Sequence, residues 1–422
     1  MNVLLVALGS AGDVHPFVGL GAVLRSRGHA VALATNEHFG PLVRRQGLEF
    51  VPLGTEAQFQ AVLDNPDLWH PTRSFQAVLG KVLEGMRPSY ELVAERYVPG
   101  ETVVVSSLLG FGPRIAHETL GVPLAMVHLQ PAVLRSVDAP PVYPALGDVG
   151  RWPRALRRLL FWFLDAGMVD RVVGRPVNRF RAELGLPPVR RLFERWIHSP
   201  QLNIGLFPDW FGPPQADWPP NVVLPGFPLY DEAAVREPDP AVTAFLDAGE
   251  PPVVVTPGSA MKQGREFFAQ AIGALRQLGR RGALLTRFRD QLPESLPEGI
   301  AHFDYVPFSR ILPRAAALVH HGGIGTTAQG LAGGIPQLIM PMAHDQPDNA
   351  ARLERLGVAG SLPPRRFRAP AVAEALDALI GSPEAAARCR ELADRIAAQR
   401  DSLARAARAV VSLATAKAGV VS

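Results

Sequence analysis

Residues 319–350, VHHGGIGTTAQGLAGGIPQLIMPMAHDQPDNA, hold the densest group of side chains able to do chemistry in this 422-residue chain. A strand ends at His320 and His321, and a glycine-rich turn (Gly322, Gly323, Gly325) feeds a helix that begins near Thr326 and Thr327. Glycine lets a backbone approach a ligand closely, and a helix N-terminus offers free N–H groups and partial positive charge. A histidine at the strand end can donate to a phosphate oxygen. These are the parts of an anion site. No lysine lies among them and G-x-x-x-x-G-K-[ST] occurs nowhere, so it is not a P-loop. The plainer alternative, a tight strand–helix turn around a buried histidine, stays open on spacing alone. Past the next strand, Asp345 beside Gln346 offers acceptors and donors suited to sugar hydroxyls, where open parallel sheets hold ligands. Alone, such a pair reads as a solvated loop.

The N-terminal half has its own loop, Gly9-Ser-Ala-Gly-Asp13-Val-His15-Pro16, between the first strand and first helix. Pro16 suits the opening of a helix and Asp13 falls at its mouth, either as a reactive carboxylate or as a helix cap. An isolated G-x-x-G does not indicate a dinucleotide.

These loops need strands and helices to aim them. Apolar runs at 2–8, 29–35, 49–54, 102–108 and 123–129 alternate with helical patterns, as parallel strands buried on both faces do. Residues 131–202 and 208–240 are rich in proline and poor in strand candidates. Strand-like runs resume at 252–258, 282–286, 303–306, 317–321 and 336–341, and an Ala/Arg-rich helical tail follows Pro383. The class is α/β, doubly wound, in two halves.

Composition narrows the function classes. Hydrophobic residues make up 47% and charged ones 19%, a globular balance. Cys389, the single cysteine, excludes a disulfide framework and multi-cysteine metal sites. The N-terminal apolar run lacks a basic flank and a cleavage site, and no run of 18 apolar residues exists, so the expectation is a soluble cytoplasmic protein.

Two Rossmann-like halves, with HHGGIGTT and DQ in the second, resemble the GT-B fold glycosyltransferases of family 1. The segment GSAGDVHPF (9–17) resembles the branch that includes sterol and glycopeptide glycosyltransferases. Asp67-Leu-Trp69, Ser74-Phe75, Ile115-Ala-His-Glu118, Trp196-Ile-His198-Ser-Pro-Gln201, Trp210-Phe211, Pro213-Pro-Gln215 and Gly226-Phe-Pro-Leu229 look like the rhamnolipid-synthesising rhamnosyltransferases. The likeness spans essentially the whole sequence.

That resemblance implies a nucleoside diphosphate sugar, dTDP- or UDP-linked, as co-substrate, with no cofactor and no metal. His321 matches the diphosphate contact, with Gly323, Gly325 and Thr326 around it and Gly258 and Ser259 as a second contact. Tyr305 and Val306 match the nucleobase segment, and Asp345 and Gln346 the pair that holds sugar hydroxyls. Where many relatives carry a ribose-binding glutamate, this chain has Gln329, which favours a dTDP-sugar without excluding UDP. Asp13 stands in the position of the catalytic base, with His15 the second choice, and a single attack implies inversion. The implied domains are 1–232 for the acceptor and 233–400 for the donor, with a helix in 401–422 crossing back to the first.

Residues 151–195 carry eleven arginines against four acids, a local +7 in a chain of net +4. Interleaved with Leu, Phe and Trp, they fit either a packed helix with a solvated basic face or contact with lipid, peripherally at the inner membrane face. No nucleic-acid motif accompanies them. The expected acceptor is a hydrophobic, lipid-like alcohol. The alternatives are a UDP-glucose-dependent transferase acting on flavonoid, sterol or other small aglycones, and a non-catalytic nucleotide-sugar-binding protein.

Overall fold

The structure, a computed structural model, describes every residue except Pro71, Pro238 and 419–422. The apolar runs form two all-parallel sheets. The first contains β1 (Asn2–Val6), β2 (Ala30–Thr35), β3 (Glu49–Pro52), β4 (Thr102–Ser107), β5 (Leu124–His128), β6 (Leu202–Gly205) and β7 (Val222–Val223). The second contains β8 (Val253–Thr256), β9 (Gly282–Leu285), β10 (Ile300–Phe303), β11 (Ala317–His320), β12 (Gln337–Ile339) and β13 (Ala359–Ser361). Their spatial orders are β3-β2-β1-β4-β5-β6-β7 and β10-β9-β8-β11-β12-β13. Each half starts in the middle, winds to one edge, then returns to build the other. Val3 lies opposite Val31 and Val103, and Val254 opposite Leu318 and Ala283. Side chains on both faces are buried, which is why the strands show no polar alternation.

This winding decides where chemistry can occur. The strand order reverses between β1 and β4 and between β8 and β11, and ligands of such sheets bind outside the carboxyl ends at that point. Turns leaving β1, β8 and β11 open there, and each uses a glycine with positive φ: Gly9 at +131°, Gly258 at +96° and Gly322 at +93°.

Two strand expectations need correction. The run at 303–306 is not a strand: β10 occupies Ile300–Phe303, and the chain leaves the sheet at exposed Asp304, before Pro307. The proline-rich 131–223 region supplies β6 and β7, which carry too few apolar residues to stand out. Asn203 is tolerated inside β6 because its amide donates to the Ser199 and Pro220 carbonyls at 2.7 and 3.0 Å.

The halves are clasped. Phe207, Phe211 and Phe227 pack in one cluster with Leu331, Leu353 and Ile396. Lys262 bridges to Asp64 at 2.6 Å, and the Val142 N–H donates to Asp348 at 3.0 Å. The Ser402–Ala418 helix lies on the Ala11–Ser26 helix, burying Ala406, Ala407 and Val410 in the first half's core. Gly19 allows that approach, since a Cβ there would stand 2.9 Å from Leu403. Residues 419–422 of the expected returning segment lie outside the described residues.

Candidate active site

On the first half, Ser10 is the N-cap of the Ala11–Ser26 helix and Asp13 occupies its third position. The Ser10 N–H donates to Asp13 Oδ2 at 2.8 Å and the Ser10 hydroxyl to the same oxygen at 3.0 Å. Asp13 is therefore the reciprocal partner in a capping box. It is also a cleft residue, because its carboxyl feels the charges of Asp345 and His344 from the opposite half. Burial pushes the Asp13 carboxyl above the usual range and Asp345 adds to this, while the two Ser10 bonds and His344 oppose it. Gly9 is obligatory beside it: a Cβ there would fall 2.3 Å from Asp13 Oδ2.

His15 is directed elsewhere. Its Nε2 lies 3.4 Å from Glu232 Oε1, and its ring meets Tyr230 edge-on at 5.6 Å. Burial, reinforced by the Arg287 charge, lowers it to about 4.

On the second half, His321 stands at the end of β11 with its ring between two glycines. A Cβ on Gly258 would come within 2.6 Å of that ring, and one on Gly323 within 2.5 Å. Burial lowers His321 to about 4, with the His344 charge adding to the effect. Its Nδ1 is enclosed without a hydrogen-bond partner among the described residues. Gly325 and Thr326 form the first turn of the Ile324–Ala332 helix, whose initial N–H groups have no intrahelical acceptor. Gln329 follows in that helix, 8% exposed. Ser259 is exposed on a cavity of about 190 Å³ between the halves, shared with Ser10, Phe59 and Arg287.

Asp345 Oδ2 accepts from Asn349 Nδ2 at 2.6 Å, yet burial raises its carboxyl to about 6. Gln346 is buried and braces its own loop, its Oε1 accepting from the Met342 and Ala343 N–H groups at 2.8 and 3.1 Å. The Tyr305 phenol donates to the Asp231 carbonyl at 2.7 Å, with the Arg236 and Arg287 guanidiniums 4.6 and 5.6 Å from its ring. Val306 beside it is buried.

Residues 3–137 match the glycosyltransferase family 28 N-terminal domain, and residues 284–410 the erythromycin biosynthesis protein CIII-like C-terminal domain. Over 412 residues the chain is 32% identical to the O-mycaminosyltylonolide 6-deoxyallosyltransferase of Streptomyces fradiae, covering 95% of this chain and 94% of that one. The protein belongs to the GT-B glycosyltransferases of family 1. Two solved structures share its fold. The glycotransferase of kitacinnamycin superposes with a TM-score of 0.75 at 21% identity over 98% of each chain. The spinosyn rhamnosyltransferase SpnG complexed with thymidine diphosphate superposes at 0.66, with 19% identity over 96% of this chain and 98% of that one.

In this glycosyltransferase the structure brings Asp13, His321 and Asp345 to one cleft and turns His15 toward the linker between the halves. It also adds residues that pattern reading gave no role. Trp69 meets His321 and His344 edge-on at 6.2 and 5.9 Å, and its Nε1 has no partner among the described residues. His344 Nε2 contacts the Leu68 carbonyl at 2.9 Å, tying the two halves at the site. The stretch Asp67-Leu-Trp69 is visible in sequence, but only tertiary contact reveals what the indole faces.

The glycine packing yields a test. Gly258→Ala adds a methyl at positive φ against the His321 ring, and overpacking of this kind costs roughly 1–3 kcal/mol. Donor affinity is expected to fall by about tenfold or more, since 1.4 kcal/mol is a factor of ten. Calorimetric titration with the nucleotide sugar reads the loss, and a thermal melt checks the fold. Unchanged affinity would mean that the ring's position does not matter to the donor.

Proposed function

We propose that this glycosyltransferase moves a deoxyhexose, best assigned as rhamnose, from a dTDP-linked donor to a hydroxyl of a hydrophobic, lipid-like acceptor. The acceptor occupies residues 1–232 and the donor 233–400. The observation that carries this reading is the opposition of Asp13, just past β1 on one half, to His344 and Asp345, just past β12 on the other, with His321 beside His344 at the second sheet's reversal point.

The acceptor hydroxyl gives its proton to Asp13 as its oxygen bonds to the anomeric carbon. The bond from that carbon to the diphosphate breaks, and its electron pair leaves on the diphosphate oxygen. His321 and the N-terminus of the Ile324–Ala332 helix stabilise that charge. Asp345 and the amide N–H groups of Gln346 hold sugar hydroxyls. Attack from the face opposite the leaving group inverts the carbon, and no metal is required because protein donors meet the diphosphate.

Three features support the finer assignment. Gln329, a neutral amide where charge would favour a ribose diol, suits a deoxyribose nucleotide. The Streptomyces fradiae relative is named for transferring a 6-deoxy sugar to an acceptor that already bears one. The sequence likeness to rhamnolipid synthesis points to rhamnose and to a hydroxyalkanoyl chain carrying a first sugar.

Donor turnover across dTDP-rhamnose, dTDP-glucose, UDP-rhamnose and UDP-glucose tests this. The dTDP-rhamnose donor is expected to lead. Gln329→Glu is expected to improve UDP-sugars relative to dTDP-sugars by about tenfold, the worth of one charge-assisted bond to the added hydroxyl. Best turnover with UDP-glucose and small aromatic aglycones would overturn the assignment.

A further inference from the structure

The Arg154–Trp162 α-helix continues as a π-helix over Phe163–Gly174, and together they present an apolar stripe left exposed by the described residues. Leu156, Leu159 and Phe163 follow α-helical i, i+3, i+7 spacing, and Met168 and Val172 extend the line at the longer π-helical repeat. Leu159 is 58% exposed, Phe163 56% and Trp162 53%, and Trp152 lies exposed just before the helix. The opposite face is packed: Phe161, Asp165, Val169 and Val173 are buried. Among the described residues, most exposed large hydrophobic side chains fall between 146 and 172. Scattered exposed leucines need no explanation, but a continuous stripe does.

The charge beside it is mostly positive. Arg151, Arg158, Arg171, Arg175 and Arg179 are exposed and have no carboxylate partner among the described residues, whereas Arg154 is paired to Asp138 at 2.9 Å. Among the described residues no helix is long and apolar enough to cross a membrane. An exposed apolar stripe bordered by unpaired arginines is the arrangement of a helix lying in a bilayer interface, with its apolar side among acyl chains and its cations on anionic headgroups. A protein partner would bring carboxylates to match the arginines in fixed positions; an anionic bilayer presents negative phosphates across its whole surface.

We propose that residues 152–175 form a docking surface for an anionic lipid bilayer, which holds the enzyme peripherally on the membrane. The buried face of the same helix leads to the catalytic cleft. Asp165 pairs with Arg135 at 2.5 Å, Phe161 packs edge-on against Tyr143 at 6.5 Å, and neighbouring Val142 bonds Asp348, three residues past Asp345. Docking would set the first half's cleft wall against the membrane.

The test is co-sedimentation of the full chain with vesicles of equal parts phosphatidylglycerol and phosphatidylcholine, and with phosphatidylcholine alone. It uses no acceptor, so its outcome is independent of the acceptor assignment above. Binding to the anionic vesicles only is expected. The double variants Leu159→Glu/Phe163→Glu and Arg158→Glu/Arg171→Glu should each weaken it by about tenfold or more. Nucleotide-sugar binding, measured alongside, should be unchanged because these side chains are exposed on the first half, whereas the proposed donor site lies on the second. No sedimentation of the wild type, or equal sedimentation of the variants, would overturn the proposal. So would a concentration-dependent dimer that the same substitutions abolish, since a second copy would then be the occupant.

Discussion

Asp13→Asn is expected to lower kcat by about 10²–10⁴-fold, the usual contribution of a positioned general base, while nucleotide-sugar binding persists. Asparagine is the informative replacement because Asp13 both braces the helix start and is the proposed base. Its Oδ2 accepts from the Ser10 N–H and hydroxyl, and an asparagine Oδ1 can accept there too. The helix cap survives and only proton acceptance is lost. Alanine would remove both, at about 1 kcal/mol for the cap. The pH profile carries a second signature. A base must be ionised, and burial with the facing Asp345 holds the Asp13 carboxyl above its ordinary value. Turnover should therefore rise with pH through that elevated pKa and level off above it. In Asp13→Asn that acid limb should vanish from the residual rate. His15→Gln provides the contrast, since His15 is turned toward Glu232 and Tyr230, and it should keep most of the turnover. A fully active Asp13→Asn enzyme would sink the assignment and leave the carboxylate as a cap alone.

What could be read from sequence is what local chemistry determines. Val and Leu runs without alternation identify strands covered on both faces, and β1, β4, β5, β8 and β11 all have them. Glycines whose backbone must take positive φ, such as Gly258 and Gly322, mark the turns that open on the cleft. The hidden parts depend on distant contacts. β6 and β7 are short, and β6 carries an asparagine acceptable only because two carbonyls reach it. Tyr305 sits past the sheet because its phenol binds the linker at Asp231. Trp69 acquires its place from the opposite half, and the spacing of the helix after Arg154 cannot reveal a π-helical continuation. Gln346 is the instructive case. Its residue type points to a sugar contact, yet its carbonyl oxygen is committed to the Met342 and Ala343 N–H groups, leaving only its amide N–H groups to face a ligand.

His321→Ala is the other large expected effect, about 10²–10³-fold in kcat/KM, as for removal of one donor aimed at developing charge. The ring is held by packing: the missing Cβ atoms of Gly258 and Gly323 leave just enough room for it. Burial keeps its pKa near 4, so above about pH 5 it is a neutral imidazole with one N–H to give. Its Nδ1 has no protein partner among the described residues, and under the proposed function a bound diphosphate would offset the cost of burying it so. Loss of the ring should accordingly weaken nucleoside diphosphate binding as well as turnover, which separates it from Asp13→Asn, where binding stays and turnover goes. A neutral donor of similar reach should restore part of the loss, so His321→Gln is expected to fall between the wild type and the alanine variant. Because the imidazole is already neutral, the alanine defect should be of similar size across neutral and mildly alkaline pH. A defect that grew steadily as pH fell from neutrality would mean that the charged imidazolium is the working form. Product binding at wild-type strength in His321→Ala would remove the diphosphate from its vicinity altogether.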